Sequence, residues 1–341
     1  MLFENCENQK MKGFRYFYYA LLFTSFLGCG PSQKQETSIP ETIESTSVPL
    51  FNADSAYTFI SHQVAFGPRI PNTTSHQKAQ EYYAQQFKKF GASVFVQEFE
   101  ASTFDRKRLR LKNIIASFNP DKQKRVLLAA HWDTRPFADK DPAKKDEPSD
   151  GADDGGSGVG VLLEIARQVG RQLPDAGVDI IFFDGEDWGE KENQANKIPP
   201  PESLNSWWCL GSQYWSKHKH KPNYSAYYGI LLDMVGAKGA RFYREGTSLE
   251  YAPKIVEKVW NTAEQLGYSN YFIKQNENGV TDDHLFVNQI ANIPMIDIIN
   301  SKPGIGFGEH HHTQKDNMSI IDKKVLKSVG QTLLEVIYRE E

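Results

Sequence analysis

What most constrains the fold of this chain is a recurring unit: a short apolar run that ends in acids or histidine, then a polar loop. Val126–Ala130 leads into His131 and Asp133, and Val178–Phe183 leads into Asp184-Gly185-Glu186-Asp187. Tyr227–Val235 carries Asp233 near its end, and Ile293–Ile299 is a further, mostly apolar run. Runs this short and this apolar read as strands covered on both faces. The stretch Val159–Val169, which follows the first loop, has helical apolar spacing. Strands alternating with helices argue for a doubly wound, largely parallel sheet. Ser93–Phe99 and Arg108–Phe118 instead alternate apolar with polar, as a half-exposed antiparallel edge does. The expected sheet is therefore largely parallel with an antiparallel edge.

The remaining elements follow from periodicity and caps. Asp54–Phe66 and Ser75–Phe90 are helical, with Ser75 as N-cap and Gly91 as stop. A helix lies near Trp208–His218, an amphipathic one covers Leu249–Leu266, and a short one covers Asp282–Gln289. Ser319–Tyr338 closes the chain as a helix, with Asp316 and Asn317 near its start. No internal repeat or second block of composition interrupts this, so residues 51–341 read as one catalytic domain.

The N-terminus reads as a targeting segment. Lys12 and Arg15 precede the apolar stretch Tyr16–Leu27, which is too short to span a bilayer and has the shape of a signal peptide. It ends in Phe26-Leu27-Gly28-Cys29, which resembles a bacterial lipoprotein cleavage site with Phe26 where Leu is usual. The expectation is a signal peptide over 1–29 cleaved before Cys29, with translation starting at Met1 or Met11. A flexible linker rich in Ser, Thr, Pro and Glu follows over 30–50. A lipid on Cys29 would hold the protein on a membrane of the bacterial cell envelope, facing the periplasm. Of three cysteines, Cys209 would then stand alone beside the anchor, with no partner for a disulfide. A monomer is expected.

The formal net charge of −4, with no Lys/Arg stripe, argues against nucleic acid as partner. The glycines at 155–160 lack the Gly-Lys-Ser/Thr ending of a P-loop, and Val161 stands where a dinucleotide fingerprint needs its third glycine. No Gly-x-Ser-x-Gly elbow is present. Those glycines suit a sharp backbone turn at Asp154 ahead of the helix. What remains are polar clusters: His131/Asp133, Asp153/Asp154, Glu186/Asp187, Asp233, Asp282-Asp283-His284 and His310-His311-His312. Strand ends converge on one edge of a parallel sheet, and imidazole nitrogens with carboxylate oxygens there suit zinc.

Read together, H-W-D at 131–133, G-A-D-D-G-G-S-G at 151–158 and F-F-D-G-E-D at 182–187 resemble the zinc-dependent glutaminyl cyclases. So do L-L-D-M-V-G-A at 231–237, D-D-H at 282–284 and H-T-x-x-D-N at 312–317, in that family's order. The resemblance spans roughly residues 50 to 340 and implies the α/β fold of the zinc aminopeptidases, a three-layer α/β/α sandwich around a mixed, mostly parallel central sheet. It also implies that Asp154, Asp187 and His312 bind one Zn2+, that Glu186 is the general acid/base, and that Asp233 and Asp282 relay protons. Substrates would be peptides and proteins with an N-terminal glutamine, converted to pyroglutamate with release of ammonia. Trp188, Trp207 and His311 are the expected walls of the substrate pocket, with Trp208 a further candidate. Two positions depart from the vertebrate cyclases: Asp187 stands where they have Glu, and His311 where they have Trp. The alternative is a di-zinc aminopeptidase of the same fold, in which His131 and Asp233 bind a second zinc, Asp154 bridges, and Glu186 activates water.

Overall fold

The computed structural model describes residues 47–191 and 198–340. The expected signal segment, Cys29 and the linker up to residue 46 lie outside the described residues. The described residues belong to the unit Thr46–Glu341.

In chain order this unit contains α1 (Ala53–Val64), α2 (Thr74–Lys89), β1 (Ser93–Ser102), β2 (Arg108–Phe118), β3 (Arg125–His131), α3 (Gly156–Arg171) and β4 (Gly177–Phe183). Then come α4 (Leu210–Lys217), β5 (Tyr228–Asp233), β6 (Phe242–Arg244), α5 (Gly246–Tyr251), α6 (Pro253–Gln265), β7 (Phe272–Asn276) and α7 (Asp283–Phe286). A π-helical turn over Val287–Ala291, β8 (Met295–Ile299), β9 (Ser301–Lys302), β10 (Gly306–Phe307) and α8 (Lys323–Tyr338) complete it.

Six strands form one sheet in the order β1-β2-β4-β3-β5-β8. β1/β2 and β2/β4 pair antiparallel; β4/β3, β3/β5 and β5/β8 pair parallel. The mixed, mostly parallel sheet with an antiparallel edge is therefore as expected. Helices cover both faces because the strand side chains alternate between two apolar layers. Leu128 and Ala130 of β3 join the cluster that holds α1, α3 and α8, while Leu127 and Ala129 join Trp215 of α4 and Val287 on the other face. The one charge inside β4, Asp179, is neutralised: Arg125 reaches both of its oxygens, at 2.5 and 2.7 Å, and Ser117 and Tyr224 donate to it as well.

The chain leaves β3 to one side to make β4, then crosses to the other side to make β5. That reversal opens a crevice at the carboxyl ends of β3, β4 and β5, where open α/β sheets take their ligands.

Four boundaries differ from expectation. Thr73, not Ser75, caps α2, accepting from His76 N at 3.2 Å, while the Ser75 hydroxyl donates to Phe66 O. The single helix expected over Leu249–Leu266 breaks at Ala252, because Pro253 has no N–H to continue it and instead begins α6. The helix expected over Asp282–Gln289 is one turn of α7 running into the π-helical turn. The last helix starts at Lys323 with Asp322 as its cap, which releases Asp316 for another task. The small pairs β6/β7 and β9/β10 were not anticipated, being too short to show a period.

Candidate metal centre

Backbone geometry aims the site. Gly155 directly follows Asp154 with φ +74, and a Cβ there would lie 2.8 Å from the His131 ring, so only glycine serves. Three residues with side chains hold the same left-handed region nearby: Cys209 (φ 56), Met234 (φ 50), next to Asp233, and His312 (φ 57). Such strained positions persist only where surrounding contacts enforce them, and they gather at functional sites.

Those contacts are visible. Asp133, at the end of β3, accepts from the backbone N–H of Glu186 at 3.0 Å and of Asp187 at 3.2 Å. Asp316 accepts from the N–H of Asp153 at 2.7 Å and of Asp154 at 3.1 Å. Asp153 in turn takes the N–H of Gly236 and faces His310 Nε2 at 2.8 Å. Arg69, fully buried, donates to the carbonyls of Trp132, Asp150 and Gly151, stapling both ends of the long loop. Arg135 pairs with Asp139, lies 3.4 Å from Asp187 Oδ1 and stacks on Trp208.

The expected functional residues converge. His312 Nε2 lies 3.3 Å from Asp187 Oδ1 and 3.8 Å from Asp154 Oδ2. Ligands 2.0–2.2 Å from a tetrahedral zinc stand roughly 3.4 Å apart, so these separations fit that ion. Donor atoms of Asp154, His311 and His312 all fall within 4.8 Å of one another, which adds His311 to the candidate donors. A second group, His131, Asp154 and Asp233, meets the same limit and shares Asp154 with the first. His131 Nε2 stands 3.0 Å from Asp154 Oδ1 and 3.3 Å from Asp233 Oδ1. Glu186, Cys209 and Asp282 form a third group, in which the thiol donates to Glu186 Oε1 at 3.3 Å.

A cavity of about 240 Å³ lies among them, walled by Asp154, Glu186, Asp233, Asp282, His311 and His312, with Trp208 and Phe307 as apolar surface. Trp188 and Trp207 sit elsewhere. They pack with Phe99, Leu111, Phe137 and Leu210 beneath the antiparallel edge, and their ring N–H groups are spent on Asp105 and on the Ile198 carbonyl.

Burial of this many carboxylates has an electrostatic cost. Burial, reinforced by the charges of Asp187, Asp282 and Asp283, raises the Glu186 carboxyl well above its ordinary range against the pull of His131. Asp233 is pushed up to about 7, by burial and then by its acidic neighbours, against the hydrogen bond from His131. Asp154 goes the other way: burial opposes ionisation, but His131, His311 and His312 hold it below the usual carboxylate range. Clustered acids with imidazoles beside them fit a divalent cation, and the N/O donor set fits zinc.

Sequence reasoning brought the acids and His312 to one place and missed their supports. Arg69 and Arg135 carry no signal in the sequence, and Asp316 reads there only as a residue near the start of the last helix.

Comparison with known proteins agrees with this geometry. A model of Peptidase family M28 matches residues 113–337. The solved structure of a Zn-dependent exopeptidase from Parabacteroides distasonis is 54% identical, covers 86% of this chain and 100% of its own, and superposes with a TM-score of 0.83. Tannerella forsythia glutaminyl cyclase is 52% identical over 86% of this chain and 100% of its own, with a TM-score of 0.82. The glutaminyl-peptide cyclotransferase of Drosophila melanogaster is 25% identical over 283 residues, 75% of this chain and 72% of that one.

Proposed function

The chain belongs to peptidase family M28, and on that premise we propose that it is a zinc-dependent glutaminyl-peptide cyclotransferase. The reaction is closure of an N-terminal glutamine to pyroglutamate. The α-amine nitrogen bonds to the side-chain carboxamide carbon, the bond from that carbon to its nitrogen breaks, and ammonia leaves. The observation that carries this reading is that Glu186, Asp233 and Asp282 wall the same small cavity as Asp154 and His312. Carboxyl groups there, raised by burial, suit moving protons.

Asp154, Asp187 and His312 would hold the zinc, with His311 beside them. When bound, zinc supplies a Lewis acid and a fixed positive charge at the carboxamide oxygen. The protein's residues supply the rest. Glu186 takes the proton from the attacking amine and returns it to the departing nitrogen. Asp233 and Asp282 hold that nitrogen and share a proton as a pair. Trp208 packs on the glutamine stem. Reacting groups on one residue need only be oriented, which removes much of the barrier.

One observation favours a second reading, a di-zinc aminopeptidase: the group His131, Asp154 and Asp233, which shares Asp154 with the first. Against it stands the D-D-H string at 282–284; identity does not separate the two readings, since the exopeptidase structure is 54% identical and the T. forsythia cyclase 52%. Product analysis separates the two. A peptide beginning with glutamine should lose ammonia and keep its length; free glutamine with a shortened peptide would overturn the cyclase reading.

Export and lipid attachment at Cys29 complete the proposal. Cys29→Ala should move the protein from the membrane to the soluble fraction, and retention on the membrane would refute the anchor.

A further inference from the structure

A groove of about 830 Å³ runs between the start of α1, the end of α3 and the start of α8. None of the residues lining it lines the cavity of the acids. Five of them are cations, Arg167, Arg171, Lys323, Lys324 and Lys327, against one carboxylate, Asp54. Two of the five are already matched. Arg167 forks onto Glu164 at 2.6 and 2.7 Å, and Lys323 meets Asp54 at 2.7 Å. Arg171, Lys324 and Lys327 are exposed and form no ion pair among the described residues. Lys324 and Lys327 lie three apart on one helix, where like charges repel and an anion between them relieves the repulsion.

The same rim holds the start of the described chain. Gln172 Nε2 donates to the Ser47 carbonyl at 2.7 Å, and Leu50, 80% exposed, lines the groove. Leu173, two residues beyond Arg171, is 51% exposed. Residues 30–46 separate Ser47 from Cys29, and a chain of that length reaches at most about 60 Å. Unmatched cations beside exposed leucines suit a layer of anionic phosphates over hydrocarbon.

We propose that this basic groove rests on the anionic lipid headgroups of the membrane that carries the protein. Arg171, Lys324 and Lys327 face the phosphates, with Leu50 and Leu173 against the acyl boundary. The proposal rests on the reading of Cys29 as a lipid anchor, which keeps the groove within reach of that surface. Three cations alone hold weakly and reversibly, so the contact orients an anchored protein and does not replace the anchor.

The test sediments the full chain, carrying Cys29→Ala throughout, with vesicles of phosphatidylcholine alone or with a third of it replaced by phosphatidylglycerol. The segment before Ser47 is common to every version, so its own affinity for vesicles cancels. The parent chain should prefer the anionic vesicles. The triple variant Arg171→Gln, Lys324→Gln, Lys327→Gln should partition into them on the order of 100-fold less, about fivefold for each cation removed. Arg171→Lys with Lys324→Arg and Lys327→Arg keeps the charges and should bind as the parent does. Raising salt from about 0.1 M to about 0.5 M should erase the preference. An unchanged preference in the glutamine variant would overturn the proposal and leave Glu36, Glu41 and Glu44 of the preceding segment as the groove's occupants. An equal loss on changing Lys122, Lys221 and Lys254, exposed elsewhere, to Gln would overturn it too, since net charge alone would then be at work. No lipid on Cys29 enters this comparison, so failure of the anchor in cell fractionation and failure of the groove are read separately.

Discussion

At the scale of single residues, the proposed mechanism needs the site to separate groups that hold from groups that move protons. Glu186 is adjacent to Asp187 in sequence, yet its thiol partner Cys209 and neighbour Asp282 turn it toward the cavity, while Asp187 turns to His312. Glu186→Gln should lower turnover by about 10²–10⁴-fold and leave bound zinc unchanged, since it removes a proton carrier and not a ligand. Metal analysis alongside the assay checks this, and loss of zinc would mean the two roles are exchanged. Asp133 touches neither cavity nor proposed zinc, but it fixes both backbone N–H groups of that acidic pair. Asp133→Asn leaves one of them without an acceptor, and about a 10–100-fold loss in zinc affinity or activity is expected, read by chelator competition. Glu186, Asp187 and Asp233 were legible in the sequence because they close apolar runs, whereas Asp154 and Asp282 follow polar stretches and were picked out by the resemblance. Arg69 was not, because its acceptors are backbone carbonyls 63 to 82 residues away, which leave no mark in composition.

At the scale of elements, the strands place the chemistry and the helices hold it at the right depth. α3 begins two residues after Asp154 and lies so close to β3 and β5 that a Cβ on Gly158 would sit 2.5 Å from Leu232 O and 2.9 Å from Ala130 Cβ. Gly158→Ala should therefore destabilise the protein by about 1–3 kcal/mol, measured by denaturant unfolding, because both obstacles belong to packed sheet. α5 is capped by Glu245, whose carboxylate accepts from Thr247 N and Ser248 N and faces His284 at 3.2 Å. Burial pushes that carboxyl up, but His284 and Ser248 outweigh it and hold it at about 2. A carboxyl lowered in the folded state stabilises fully above its unfolded value of about 4.5 and stops doing so as pH falls toward 2. About 3 kcal/mol should be lost across that window, and Glu245→Gln should flatten this part of the stability profile. The strands and long helices were legible from periodicity. Pro253 and the cap choices that set helix ends were misjudged, because a cap depends on one hydrogen bond that periodicity does not report.

At the scale of the molecule, the decisive property is topological. β3, β4, β5 and β8 run parallel, so their carboxyl ends lie along one edge. The chain's reversal around β3 leaves the crevice into which His131, Glu186 and Asp233 project. The alternation of apolar runs with helical stretches foretold that edge. It carried no information about which loops would overlap it, so the hairpin β9/β10 emerged only in three dimensions, as did the choice of Trp208 over Trp188 and Trp207 at the cavity. The same edge offers two overlapping donor groups that share Asp154, and the number of ions it holds distinguishes a cyclase from a peptidase. Zinc per chain should therefore be counted in a preparation whose ammonia release from a glutaminyl peptide is measured at the same time. One zinc per chain at full ammonia release is the expected result; two zincs per chain, with free glutamine as the product, would contradict it.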